Sequence, residues 1–598
     1  MRRASLSGLL AFALVGCHDA PSDGGAFPRS QTLYVGGYQS HEPVSFNPLA
    51  SAPAWPVQPY NSVNLMYEPL FVFNTLTGKM EPLLGQSFAM GEMHIDVTVQ
   101  PTARFSDGRP VTAHDVKYTF DLGQQHKSLP VAPLWRFLSS IEIIGPEAKP
   151  HPRQLRFHLN PERKNPLSVL DYLQETPILP RHVFAPLFAE HGNDAAQVSK
   201  LALDAHPVSS GPYGLVSFSA ERIVTERRDD YWGNQVFFGG KRAAPRYVIH
   251  PIYKSNDHYS VALQQGRLDA SAAFVPRIWL KRRKGVRAWY DEVPYFPPGA
   301  MPLLFINVTE APLDDVHLRR AMAFSIRYDD IRELAVSGYS QPLQSGLILP
   351  FGFEGKYFSE ADAKQYGASR FDPARARAEL EAGGYQPIFD SAGELVETRD
   401  RHGRSLRTLT VSSPAGWTDW ESIVRIAVRS MRSVGIDVRE RFIESSQHRP
   451  LTYAGDFDLM MFTPSPPPTP SKPWSRFDTV LSTLDFQRPG RKMFKNMGRF
   501  NDPSAPGYVR RFDELLALIP TLDSESELRR AYRELNVLFM KYQPALPVVY
   551  RPDQFYEFSE KAWTGFPTAA KPFLPPQAPG ARMGTRSLWH LSPTPQAD

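Results

Sequence analysis

Trp417 and Asp419 stand two residues apart at the entry to a patterned segment, and together they offer the clearest chemistry in this 598-residue chain. An indole face can stack on a flat apolar ring, and a carboxylate beside it can accept hydrogen bonds from that ring's hydroxyl rim. Each has a plainer alternative: a loop aromatic packed on the core for Trp417, and a first-turn carboxylate near a helix dipole for Asp419. Trp55, in an irregular proline-rich segment, offers a second ring face with the same core-packing alternative. Motifs for covalent, metal or phosphate chemistry do not occur: there is no Gly-x-Ser-x-Gly, His-Glu-x-x-His, Gly-x-x-x-x-Gly-Lys or Gly-x-Gly-x-x-Gly. The sixteen histidines are scattered without metal-ligand spacing. Glycoside hydrolysis needs two carboxylates about 5–9 Å apart in space, which spacing along the chain does not reveal. That enzymatic alternative rests on no motif.

The elements that must hold these residues follow from caps and periodicity. Thr418-x-x-Glu421 reads as a capping box leading into Ile423, Val424, Ala427, Val428 and Met431, a single buried helix face that Gly435 stops. Asp372-Pro373 opens a helix ended by Gly383-Gly384, Thr112 caps another with Asp115 in its first turn, and Ser524-x-x-Glu527 is a further capping box. Strands are expected at 31–38, 95–99, 249–253, 303–307, 406–411, 436–441, 458–462 and 546–550. Their alternation with helices indicates mixed α/β lobes. The length exceeds the roughly 250–300 residues at which one core stops growing, so two or more lobes are expected. A hydrophobic fraction of 42% and an aromatic fraction of 12% are those of a folded chain. The 57 prolines concentrate at 464–470, read as a stiff loop, and at 567–579, read as a C-terminal wrap.

The N-terminus carries a separate message. Arg2 and Arg3 precede an uncharged, mostly apolar stretch from Leu6 to Val15, then Gly16 and Cys17, the one cysteine. That is a secretory layout, and its apolar run is about half of the ~20 residues that span a bilayer. A cleavage site ending in cysteine resembles the bacterial lipoprotein pattern. Residues 1–17 are thus expected to be a signal peptide, Cys17 the lipidated residue and 18–30 a flexible tether. The remainder works outside the cytoplasm, in the periplasm or at the cell surface, held to the membrane by that lipid. With Cys17 modified no disulfide is possible. A net charge of +5 over so large a surface points to no nucleic-acid partner.

Ordered blocks from about 32 to 567 resemble the family 5 solute-binding proteins of ABC importers, which include dipeptide, oligopeptide, nickel and oligosaccharide binders. They are Tyr67-Glu68-Pro69-Leu70, Phe105-Ser106-Asp107-Gly108 through Val116, Ser210-Gly211-Pro212-Tyr213, Tyr231-Trp232-Gly233, Gly266-Arg267-Leu268-Asp269, Arg319-Arg320-Ala321, Gly455-Asp456-Phe457-Asp458 and Pro544-Ala545-Leu546-Pro547. Two departures matter. Ser209-Ser210 replaces the usual Gly-Thr, and no acidic residue follows the Asp-Phe-Asp strand until Asp478, where peptide binders commonly place an aspartate against the ligand's amino terminus. An uncompensated buried amine is costly. Phe46-Asn47-Pro48, Gly416-Trp417-Thr418-Asp419-Trp420 and Asn496-Met497-Gly498-Arg499-Phe500 look more like the oligosaccharide-binding branch.

The resemblance implies an α/β fold of the two-lobed periplasmic-binding type (type II, large class) with an extra subdomain. Lobe I is expected at 31–65, 205–302 and 548–598, the inserted subdomain at 66–204 and lobe II at 303–547, with hinges at the two crossings. It also implies capture of an oligosaccharide or a short oligopeptide, delivery to permease and ATPase subunits, a monomeric state, no cofactor and no chemistry. By position, Trp135, Phe274, Phe462, Trp474 and Tyr550 join Trp417, Asp419 and Trp55 as ligand-contact candidates, each with core packing as its alternative.

Overall fold

The computed structural model describes residues 27–59, 62–145, 151–464, 469–552 and 554–595. The expected signal peptide, Cys17 and most of the tether lie outside the described residues, as do 465–468 of the proline cluster.

Three sheets organise the chain. A seven-stranded sheet runs in the order Val286–Ala288, Glu557–Ser559, Ala270–Ser271, Thr32–Gly36, Tyr247–Pro251, Arg222–Arg227 and Tyr213–Phe218. Thr32–Gly36 is parallel to both of its neighbours. A five-stranded sheet runs Val438–Ile443, Leu409–Pro414, Leu459–Phe462, Leu303–Ile306 and Ala545–Pro547. Gly85–Met90, His94–Val99, Gln154–Leu159 and Leu138–Ile144 form an antiparallel third sheet. The first two sheets are bridged by paired crossings. Leu303–Phe305 lies against Ala545–Pro547, and beyond it Pro298–Ala300 pairs antiparallel with Arg551–Pro552.

Local sequence explains the helices that frame the junction. Thr418–Val434 buries Ile423, Val424, Ala427, Val428, Met431 and Val434 at three- and four-residue spacing against Leu459, Met461 and Leu546 of the five-stranded sheet. Each of these side chains other than Ala427 contributes about 1.5–3 kcal/mol when fully buried. Its cap differs from the expected box: Trp417 occupies the N-cap, Thr418 is the first helical residue, and Glu421 Oε1 reaches back to accept from Gly416 N at 2.7 Å. Helix Pro373–Gly383 starts and stops as expected, with the Asp372 side chain accepting from Arg375 N and Gly384 left-handed. Thr112 and Asp115 form a complete capping box on Ala113–Gln125. The chain after the proline cluster is more ordered than its composition suggests: Trp474–Leu481 is a helix with every residue buried.

The signature blocks converge on one scaffold. Glu68 is 1% exposed, and its carboxylate accepts from Tyr231 Oη at 2.6 Å and Trp232 Nε1 at 3.3 Å. Ser210 Oγ accepts from Glu68 N at 3.1 Å, and a Cβ at Gly211 would sit 2.3 Å from Leu65 O, so only glycine lets the two segments touch. Burial pushes the Glu68 carboxyl from 4.5 up to about 8, against the hydrogen bonds that favour its charged form. Folding therefore takes up a proton between those values, and stability falls as pH rises through that window. Glu68→Gln is expected to remove this part of the decline in urea-unfolding free energy between pH 5 and 8. An unchanged slope would show that Glu68 does not carry it.

Candidate functional site

A cleft of about 180 Å³ lies where the two large sheets meet. One wall comes from the chain leaving the seven-stranded sheet: residues 37–41 after Thr32–Gly36, Phe274 after Ala270–Ser271, and Asn256 at the start of helix Asn256–Gln265. The crossing supplies Arg551, Gln554 and Phe555. The facing wall is the start of helix Thr418–Val434 with Trp417, Asp419 and Trp420, then His448 and Arg449 of helix Ser445–Ala454, and Phe462 at a strand end. Strand ends converging on helix starts are where open α/β sheets place ligands.

Its electrostatics centre on Asp419. This carboxylate is 1% exposed; Oδ1 accepts from Asn256 Nδ2 at 3.0 Å, and Oδ2 lies 3.4 Å from an Arg551 guanidinium nitrogen. Burial raises its pKa, and the Arg551 charge opposes that rise. Arg551 is held over the faces of Trp420 at 5.7 Å and Phe555 at 4.6 Å. Trp417 and Trp420 meet edge to face at 4.9 Å. His448, pushed down to about 4 by burial, is neutral at physiological pH and donates from Nε2 to Met461 O at 2.8 Å, its ring stacked on Phe462. Buried polar atoms on these walls that make no hydrogen bond among the described residues include Asp419 Oδ2, Trp420 Nε1 and His41 Nε2. Leaving such a group unpaired costs about 1–3 kcal/mol, so a ligand that pairs with it gains that much. Acceptor, donor and amphoteric imidazole lie beside stacked rings. Among the described lining residues Asp419 is the only carboxylate, whereas the hydrolase alternative requires two.

Of the eight sequence candidates, Trp417, Asp419, Phe274 and Phe462 line this cleft. The other four do not reach its walls. Trp55 is wholly buried behind Tyr38, stacked on it at 6.4 Å and against His250 at 5.0 Å. Trp135 donates to Phe120 O at 2.8 Å and Trp474 to Leu516 O at 2.9 Å, which anchors both indoles to local backbone. The Tyr550 hydroxyl accepts from Gln344 N at 3.0 Å, with its ring edge-on to Phe351. Sequence reasoning passed over Trp420, Arg551, Asn256 and His448. Trp420 had a signal, three positions after Trp417 on the same helix; Arg551 had a weaker one, three residues past an expected crossing.

Two α/β lobes joined by a paired ribbon, with an aromatic cleft at the junction, define the periplasmic-binding-protein class. The chain belongs to the bacterial extracellular solute-binding proteins, family 5, whose middle-region description matches residues 85–483. It is similar, at 26% identity and a TM-score of 0.82, to the mannohexaose-bound periplasmic oligopeptide-binding protein of an ABC transporter from Thermotoga maritima, covering 95% of this chain and 100% of that one. The oligopeptide-binding protein AppA of Bacillus subtilis, in complex with a nonapeptide, shares the fold at a TM-score of 0.71 and 18% identity, covering 94% of this chain and 99% of that one. The peptidoglycan-binding protein YepA of Agrobacterium fabrum is 25% identical over 445 residues, 67% of each chain. The probable peptide-binding protein YejA of the same organism is 22% identical over 523 residues, 81% of each. The chain is the extracytoplasmic solute-binding component of an ABC importer; members of this family bind and are not enzymes.

Removing the cation at the cleft floor has a signed consequence. Arg551→Met is expected to lower unfolding free energy by about 3–5 kcal/mol at a pH high enough to keep Asp419 ionised, because the carboxylate is then buried without its counter-charge. The raised carboxyl can take up a proton as pH falls, so the deficit should be smaller at low pH. An equal loss in denaturant melts at both pH values would detach Arg551 from the Asp419 charge.

Proposed function

We propose that this protein captures a short oligosaccharide between its lobes, holds it by ring stacking on Trp417 and hydrogen bonds to Asp419, and releases it unaltered to a membrane permease driven by ATPase subunits. The observation that carries this reading is the pairing of indole faces with buried polar atoms that have bonding capacity to spare. The mannohexaose bound by the Thermotoga maritima relative supports it. Phe274 and Phe462 complete the apolar lining. At about 180 Å³ the cleft holds one ring-sized group, below the roughly 300–1,000 Å³ of pockets that bury drug-sized ligands. A longer oligomer therefore requires the lobes to part and close again about the crossings at 302–303 and 547–548. Lobes spanning 31–65, 205–302 and 548–598 on one side and 303–547 on the other, with 66–204 inserted, are supported by the sheets, each of which draws its strands from one of these sets. Lipid on Cys17 would hold the monomer at the membrane.

A second reading, capture of a short oligopeptide, is favoured by the names and ligands of the peptide-binding relatives. Against it, the one carboxylate among the described lining residues is already compensated by Arg551, so a ligand amine would have to compete for it.

Thermal-shift screening against manno-, cello- and xylo-oligosaccharides and di- to pentapeptides separates the two. A ligand at 100 times its Kd stabilises by about 2.7 kcal/mol. A shift with glycans only is expected; a shift with peptides only would replace the sugar reading by the second. Trp417→Ala should abolish the ligand-induced shift and leave the unliganded melt nearly unchanged, and a retained shift would remove Trp417 from the site.

A further inference from the structure

The modest net charge hides a local concentration. Between 277 and 293 the chain carries six cationic and two acidic side chains, with Lys281-Arg282-Arg283-Lys284 as an unbroken run. This stretch forms the short helix Ile278–Lys281, a turn, and the edge strand Val286–Ala288. Interleaved with the charges are apolar side chains turned outward: Trp279 is 41% exposed, Leu280 55% and Val293 71%. Trp279 stacks on Tyr295 at 6.1 Å, which puts the helix beside the turn that presents Val293. Asp291 pairs with Arg282 at 2.9 Å and Glu560 with Arg287 at 2.8 Å, while Arg277 and Lys284 stand exposed around the apolar tips.

The position of this patch is as informative as its composition. Arg29, near the start of the described chain, donates to Gly266 O at 3.4 Å. The Lys561 side chain lies over Gly266 and reaches to Gly285, 3.8 Å from where a Cβ there would sit. The N-terminal segment and the basic turn are therefore neighbours, with exposed Lys561 and Arg267 between them. Val286–Ala288 is antiparallel to Glu557–Ser559, which is antiparallel to Ala270–Ser271, which is parallel to Thr32–Gly36. Gly285 and Arg29 thus precede strands that start at the same end of the sheet. The cleft residues 37–41 leave the opposite end.

We propose that the face formed by residues 277–293 and Lys561 rests on the anionic phospholipid surface of the membrane that holds the protein. Exposed Trp and Leu among Lys and Arg are the residues that enter a charged bilayer interface, the ring and alkyl groups seated at headgroup level and the cations on phosphate. The placement rests on the lipid-anchor reading of Cys17, since a tether from Cys17 to Phe27 spans at most about 35 Å and brings this end of the sheet to the bilayer. The charge match itself does not depend on the anchor.

Hydrogen exchange of the full, lipidated chain tests the proposal, in vesicles of phosphatidylcholine alone and of phosphatidylcholine with phosphatidylglycerol. Amides of 277–293 are expected to slow roughly tenfold in the anionic vesicles only, an effect lost at high salt. The combined Lys281→Ala and Lys284→Ala variant should lose the slowing and keep its melting temperature and ligand response. Equal exchange in both vesicle types, or slowing that survives the double variant, overturns the proposal. Flotation in the same samples reads the anchor separately. Should the protein fail to float, Cys17 carries no lipid, and exchange with anionic vesicles added in excess still decides whether the face binds them.

Discussion

A single guanidinium on the paired ribbon between the two large sheets, that of Arg551, opposes the burial of two carboxylates, one beside each sheet. Asp419 opens a helix that packs on the five-stranded sheet, and Glu557 lies in the seven-stranded sheet. Burial drives the pKa of both upward, and the field of Arg551 opposes the rise in each. Removing a carboxylate from water costs several kcal/mol unless a charge and hydrogen bonds replace the lost solvation. With Asn256 also donating to Asp419 from the opposite wall, the solvation of one lobe's carboxylate is supplied by the other lobe and by the ribbon between them. The approach of the lobes and the electrostatics of the cleft floor are one constraint.

Other features follow from that junction. Gly416, just before the Trp417 cap, is left-handed, and a Cβ there would meet Lys254 O at 2.2 Å. Backbone from the two lobes touches directly at this point, and Asn256 N donates to Gly416 O at 3.0 Å. Away from the cleft, Arg136, just before the third sheet's strand Leu138–Ile144, reaches Asp485 and Leu484 O, and Ser471 bonds to Asp171, so this part of the chain touches the segment after the proline cluster. Residues that carried the sequence resemblance, Glu68, Ser210, Gly211, Tyr231 and Trp232, stand in the scaffold and not in the cleft. Similarity between relatives therefore reports how the lobes are built more strongly than what they hold.

This division also explains what could be read from the residues alone. Helix starts and stops were legible where a side chain acts on its own neighbours, as at Asp372-Pro373, Gly384 and the Thr112–Asp115 box. The buried stripe from Ile423 to Met431 was legible because helical period and burial coincide. The cap at Thr418 came out one residue early, because Glu421 reaches past Trp417 to Gly416, which no fixed spacing rule anticipates. Four of the eight candidates line the cleft, and most of its lining was not legible. An indole in an irregular segment has the same local sequence whether it faces ligand or core. Trp417 faces the other lobe, whereas Trp474 donates to the carbonyl of Leu516. His448 was silent and Arg551 nearly so for the same reason, since their significance comes from Met461, Trp420 and Asp419, remote in sequence.

The central claim is that two lobes close on a guest across a charge-compensated junction. Solution scattering tests it most directly, comparing the protein alone with the protein saturated by whichever compound raises its melting temperature. A smaller radius of gyration with the compound bound is predicted, reached without any change in the compound recovered afterwards. Superimposable curves with and without a demonstrably bound compound would contradict it.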